Sequence, residues 1–209
     1  EVHPEYMPET NRSIIRGSLF PHIRYNAKMP REKTHRKNVT LQKVEGAKTA
    51  FESGILFHCY IDEVREQFLE DENFFEKMKE VIDIPEEEQV LFLKLVEDEI
   101  LFSKLDRAPI THTLLSLDKE EEKYKISKEV LFQWHSLLVI SMNQSPSSML
   151  SELAAAGKDF LTLPAKRVKW WAPRLLQAAQ SPLFQDHVNR MVEHFTKEFG
   201  DYIAAIDDR

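Results

Sequence analysis

Residues 129–142, EVLFQWHSLLVISM, constrain the fold more than any other stretch of the chain. Val130, Leu131, Phe132, Trp134, Leu137, Leu138, Val139, Ile140 and Met142 leave almost no polar face. A helix that is apolar all round is a buried one. Spanning a bilayer takes about 20 apolar residues, so this shorter stretch predicts the centre of a helical domain with amphipathic helices packed around it.

The rest of the chain supports that reading. Only five of 209 residues are glycine, and Leu, Glu, Lys, Ala and Gln fill the long segments, a balance that favours helix. A hydrophobic content of 42% suffices for one continuous core at this length. The expected fold is all-α: a single domain of about seven to nine helices, judged from the periodic segments, preceded by an irregular basic N-terminal arm.

Charge separates the two parts. Residues 1–11 carry Glu1, Glu5 and Glu9 with no base, whereas Arg12 to Lys48 hold ten Lys or Arg residues against Glu32 and Glu45. The remainder is strongly acidic, since the whole chain sums to -7. The chain therefore reads as an extended basic arm over 1–38 and an acidic helical domain over 39–209, with NQSPSS at 143–148 as the candidate subdomain boundary.

Helix is expected from about 39 to 70, bent or broken at Gly46 or Gly54, with Phe51, Ile55, Phe57, Tyr60, Ile61, Val64, Phe68 and Leu69 on one stripe. Asp71 can cap a short helix carrying Phe74, Phe75, Met78, Val81 and Ile82. The run Asp83-Ile84-Pro85-Glu86-Glu87-Glu88 is the clearest start signal, because a proline in the first turn needs no donor and acids suit the positive end of the helix dipole. Asp118 with Glu121 resembles a capping box, and Ser127 offers the start of the apolar stretch. Gly157 closes a short helix over 149–156. Pro164 opens the next, Pro173 either kinks it or begins another, and a last helix runs over 182–206 on Phe184, Val188, Met191, Phe195, Phe199, Tyr202 and Ile206.

No run of 18 apolar residues occurs and no apolar stretch opens the chain, which predicts neither a transmembrane helix nor a signal peptide. Cys59 is the only cysteine, which rules out an intrachain disulfide and a cysteine-built metal knuckle and predicts an intracellular, reducing setting. Beside His58 it suggests a thiolate–imidazole pair, but adjacent helical residues point about 100° apart, so a small buried hydrophobe is expected. Gly-rich dinucleotide and P-loop motifs, HExxH, GxSxG and EF-hand loops are all absent, which weighs against the common nucleotide-dependent enzymes.

Two regions carry a binding signal. In the arm, Arg24, Lys28, Arg31, Lys33, Arg36 and Lys37 interleave with His22, Tyr25 and His35, a pattern that can neutralise phosphates and set a ring against a base. In the body, Lys166, Arg167, Lys169, Trp170, Trp171 and Arg174 form a basic and aromatic cluster. Trp170 and Trp171 cannot share a helical face, so one is expected in the core and the other at its rim. These features predict a non-enzymatic binding or assembly protein, needing no cofactor, that grips RNA or an acidic protein surface, as in a larger complex. The bland counterpart is an arm that wraps its own acidic body.

The alternative is a helical-bundle enzyme or sensor holding a metal or haem. His58, Asp62 and Glu66 stand four residues apart along one helical face, a spacing that can present nitrogen and oxygen ligands to one ion. His187 and His194 stand seven apart, two turns along one face. His135 reads as a hydrogen-bonded core histidine.

Overall fold

The computed structural model describes residues 7–160 and 163–207, with side chains as far as Gly200. Residues 1–6 of the expected extended start, and the side chains of Tyr202 and Ile206, lie outside what is described. The chain is all-α, with seven helices of seven or more residues among the described residues. Among the described residues an isolated bridge between Phe160 and Leu163 is the only β feature.

In chain order the helices are α1 (Glu9–Leu19), α2 (Arg24–Ala27), α3 (Leu41–Glu45), α4 (Ala50–Asp71), α5 (Phe74–Lys79) and α6 (Glu86–Phe102). They continue with α7 (Ala108–Thr113), α8 (Lys128–Asn143), α9 (Pro146–Ala155), α10 (Ala165–Gln180) and α11 (Pro182–Asp207). Single 3-10 turns stand at Phe20–Ile23, Arg31–Lys33 and Glu121–Tyr124. The chain forms two compact units, one from Glu1–Gln67 with Asp106–Gln144, the other from Phe68–Leu105 with Ser145–Arg209.

The second unit holds a continuous apolar core. Phe74, Phe92, Leu93, Val96, Leu150, Val168, Trp171, Leu175, Phe184 and Val188 are all fully enclosed, and α6 packs against α9, α10 and α11. Phe92 meets Trp171 edge to face at 5.2 Å, a geometry that adds about 0.5–1.5 kcal/mol beyond the buried area. Local chemistry sets the boundaries. Pro85 stands just before α6, Glu86, Glu87 and Glu88 fill its first turn, and the Ser145 hydroxyl accepts from the Ser148 N–H to cap α9. Gly157, at φ 63°, closes α9 as the spacing predicts. Pro173 lies inside α10, which runs through it without a break.

The expected centre is corrected. The helix of residues 129–142 is α8 in the first unit, and it buries one stripe only: Leu131, Trp134, His135 and Leu138. Phe132 and Ile140 are 55% and 49% exposed. Apolar composition made every face of this helix fit for burial, but a face is buried only where another element covers it. The acid-rich α6 takes the enclosed position instead, because its buried Gln89 donates to the Ile84 carbonyl and its buried Glu97 meets His187 at 3.0 Å.

The expected irregular arm over 1–38 is also corrected for the described residues. It begins with α1, and Arg16, Phe20, Pro21, Ile23, Thr34 and His35 are buried. Arg16 donates to the Thr113 carbonyl, Glu9 and Ser116 and lies 3.5 Å from Asp118, so a base counted as solvated charge is a buried tie. Pro8 stands just before α1, Pro30 just before the Arg31–Lys33 turn, and Pro21 lies in the first turn of Phe20–Ile23.

The expected long helix over 39–70 divides at Gly46 into α3 and α4. The Thr49 hydroxyl restarts the chain by accepting from the Glu52 N–H at 3.1 Å, while Glu52 accepts from the Lys48 N–H at 2.9 Å. Gly54 does not bend α4. It lies where α1 crosses, facing Gly17, and a side chain on either glycine would run into the other helix's backbone.

Candidate metal centre

α4 carries His58 and Asp62 one turn apart on the same face. The segment after the Arg31–Lys33 turn lays His35 against that face, held in two ways. Glu63 of α4 accepts from the backbone N–H groups of Asn38 at 2.6 Å and Val39 at 3.1 Å, and the Cys59 sulfur accepts from the Arg36 N–H at 3.3 Å. One ligand atom from each of His35, His58 and Asp62 then lies within 4.8 Å of the other two.

Protonation suits coordination. The Thr34 hydroxyl, fully buried, lies 3.0 Å from His35 Nδ1, 3.2 Å from the Pro21 carbonyl and 3.4 Å from the Arg31 carbonyl. A hydroxyl has one proton and a carbonyl can only accept, so donation to a carbonyl leaves the hydroxyl oxygen to accept from His35 Nδ1–H. That tautomer places the lone pair on Nε2, the arrangement by which outer hydrogen bonds orient metal-ligating imidazoles. Burial, with Arg31 and His58 nearby, pushes the His35 pKa down to about 4 against a smaller opposing pull from Asp62. The ring is neutral at physiological pH, and no proton competes for Nε2.

His58 Nε2 is buried and has no hydrogen-bond partner. It lies 3.5 Å from Asp62 Oδ2. A tetrahedral ion with bonds near 2.05 Å holds its ligand atoms about 3.3 Å apart, so this pair is already spaced for one. His22 stands beside the group, its ring perpendicular to His58 at 4.8 Å between centroids and 6.5 Å from His35. Cys59 is buried, as expected of a small hydrophobe, burial pushes its thiol above the ordinary range, and it lies outside the three convergent ligand atoms.

The sequence pattern singled out His58, Asp62 and Glu66, and the structure brings His35 rather than Glu66 within ligand distance of His58 and Asp62. Glu66 is exposed and outside the group, and His35 takes its place. His35 and His22 were read with the basic arm, and no sequence signal ties them to α4, because the contact depends on how residues 34–39 return along it. His187 is fully buried, paired with Glu97 and stacked on Phe74 at 3.9 Å, and His194 lies 3.6 Å from Glu198. Both belong to the second unit.

The basic residues divide by position. Lys28, Arg31, Lys33, Arg36 and Lys37 are exposed. Arg24 lies over the Tyr25 ring at 4.1 Å and donates to its hydroxyl, Arg31 comes within 3.8 Å of Asp62, and Arg36 donates to the Glu32 and His35 carbonyls. In α10, Lys166 and Lys169 are exposed. Arg167 chelates Glu88 with two bonds, and the indole N–H of Trp171 donates to the same carboxylate at 2.8 Å. Trp171 is the core tryptophan and offers no stacking surface, while Trp170 lies at the rim under the guanidiniums of Arg167 and Arg174 at 4.2 and 3.8 Å. Among the described residues no helix is long and apolar enough to cross a membrane.

Comparison with protein-family models, curated proteins and solved structures returns no match.

Proposed function

We propose that this chain is a metal-binding protein that holds one divalent first-row transition ion, such as zinc, on His35, His58 and Asp62. The observation that carries the reading is a set of three convergent ligand atoms, in which the buried Nε2 of His58 makes no hydrogen bond and lies 3.5 Å from Asp62 Oδ2. An ion between these atoms satisfies a buried nitrogen that the carboxylate meets only at ion-pair distance. Two imidazoles and a carboxylate suit zinc or iron, and three protein ligands leave a position open, the pattern of catalytic and regulatory sites rather than closed structural ones. Metal analysis of protein equilibrated with zinc and then desalted tests this. The expected result is one equivalent in the native chain and a large loss in His35→Ala and His58→Ala. Equal metal in native protein and both variants overturns the reading.

A second reading keeps the support of one observation, the exposure of Lys28, Arg31, Lys33, Arg36 and Lys37 on a folded segment. Here that surface binds RNA or an acidic protein surface by charge, with affinity falling steeply as salt rises. Binding of a single-stranded RNA that is unaffected by salt, or by neutralising these five residues, removes it.

A further inference from the structure

We infer that the open position of this metal site takes the oxygen of a phosphate group, with Arg31 as the residue that clamps it. The inference rests on the metal reading above. Arg31 Nη2 lies 3.8 Å from Asp62 Oδ2, so the guanidinium is in ion-pair contact with the carboxylate of the proposed ligand set. Its side chain is 53% exposed, whereas Asp62 is 14% exposed, so Arg31 reaches the site from the solvent side, where an incoming ligand arrives.

Charge decides what that ligand is. A divalent ion on two neutral imidazoles and one carboxylate carries a net positive charge, and Arg31 adds another beside it. Asp62 is the acid that Arg31 meets, and the neighbouring Glu63 carboxylate is engaged by the backbone N–H groups of Asn38 and Val39. Once the ion takes the carboxylate, Arg31 faces a cation rather than its former partner. A bridging oxyanion removes that repulsion, with one oxygen on the ion and two others in the fork of the guanidinium. Tetrahedral phosphate has oxygens enough for both and charge enough for the site. A metal ion beside an arginine is also the arrangement that stabilises phosphoryl oxygens elsewhere in protein chemistry. The shared chemistry is the phosphate dianion, whether free or on a monoester.

Cobalt(II) is the probe, because its visible bands report the exchange of the fourth ligand without any assumption about activity. The cobalt-loaded native chain is titrated with inorganic phosphate, then with phenyl phosphate, with acetate as control. Expected are a saturable band shift with phosphate at millimolar concentrations or below, a weaker response to acetate, and in Arg31→Gln one retained equivalent of cobalt with phosphate affinity down at least about tenfold, the loss of charge-assisted bonds. A response to inorganic phosphate alone identifies the free ion, and a response to both probes identifies the group on an ester. Cobalt bound without any phosphate response, or equal responses in native and Arg31→Gln protein, overturns this inference and leaves the metal site standing. Failure of the native chain to hold cobalt overturns both, so the two ideas fail separately.

Discussion

Replacing Gly54 by alanine tests the helix crossing on which the first unit depends. In an exposed helix interior the change stabilises by about 1 kcal/mol, because alanine loses less backbone freedom. At Gly54 the added Cβ would sit 2.7 Å from the Ser18 nitrogen and 2.9 Å from the Gly17 Cα, and closer still to the Ile14 carbonyl oxygen. All three are backbone atoms, so no side-chain rotation relieves the clash. The Ile14 carbonyl oxygen is the limiting contact, so α1 must lift from α4 by upward of about 1 Å to restore van der Waals separation. Overpacking of this kind costs about 1–3 kcal/mol, and the upper end applies where rigid helices meet. The net expectation is a loss of about 2 kcal/mol, or about 4–8 °C in melting temperature for a chain of this size. Gly200, in α11 with nothing within 4 Å of its added Cβ, is the internal control: Gly200→Ala should gain up to about 1 kcal/mol. Urea denaturation followed by circular dichroism measures both. If Gly54→Ala is as stable as the native chain, α1 and α4 do not approach as closely as the structure places them.

Three further outcomes follow from the same contacts. The His35 pKa of about 4 lies below the ordinary 6.5, so the folded state binds fewer protons there than the unfolded one. The metal-free chain should then lose stability as pH falls from about 6.5 to about 4, by up to about 3 kcal/mol, and His35→Gln should remove that component from the pH profile of unfolding. Glu88→Ala leaves the buried Trp171 indole N–H without an acceptor and frees Arg167; a loss of about 2 kcal/mol in urea melts is expected, with Glu87→Ala, an exposed neighbour, near zero. Arg16→Met removes the cation beside buried Asp118 and the donors to the Thr113 carbonyl and Ser116 and should cost about 3 kcal/mol, and a melt unchanged from native would mean that the guanidinium is solvated rather than buried.

Much of the fold was legible because helix signals are local. Gly157 closes α9 and the three acids after Pro85 mark α6, each acting within a turn or two of its own position, whereas the start of α9 at Ser145 and Pro146 lies inside the stretch read as a boundary. The candidate site was half legible for the same reason. His58 and Asp62 share a face by periodicity alone, whereas His35 is 23 residues away in sequence and reaches them through Glu63, Cys59 and Thr34. The basic residues of the arm masked it, because a histidine among arginines and lysines reads as part of a charged surface.

Composition and spacing by themselves determined that this chain is helical, where α6, α8 and α11 begin, and that it carries no membrane-crossing helix among the described residues. Tertiary structure alone decided that α6 and not α8 is enclosed, that Gly17 and Gly54 let α1 and α4 touch, and that His35 joins His58 and Asp62. The physical reason is range. Propensity, capping and dipole effects act over a few residues, whereas burial of a face and convergence of ligands depend on which distant element arrives to cover them.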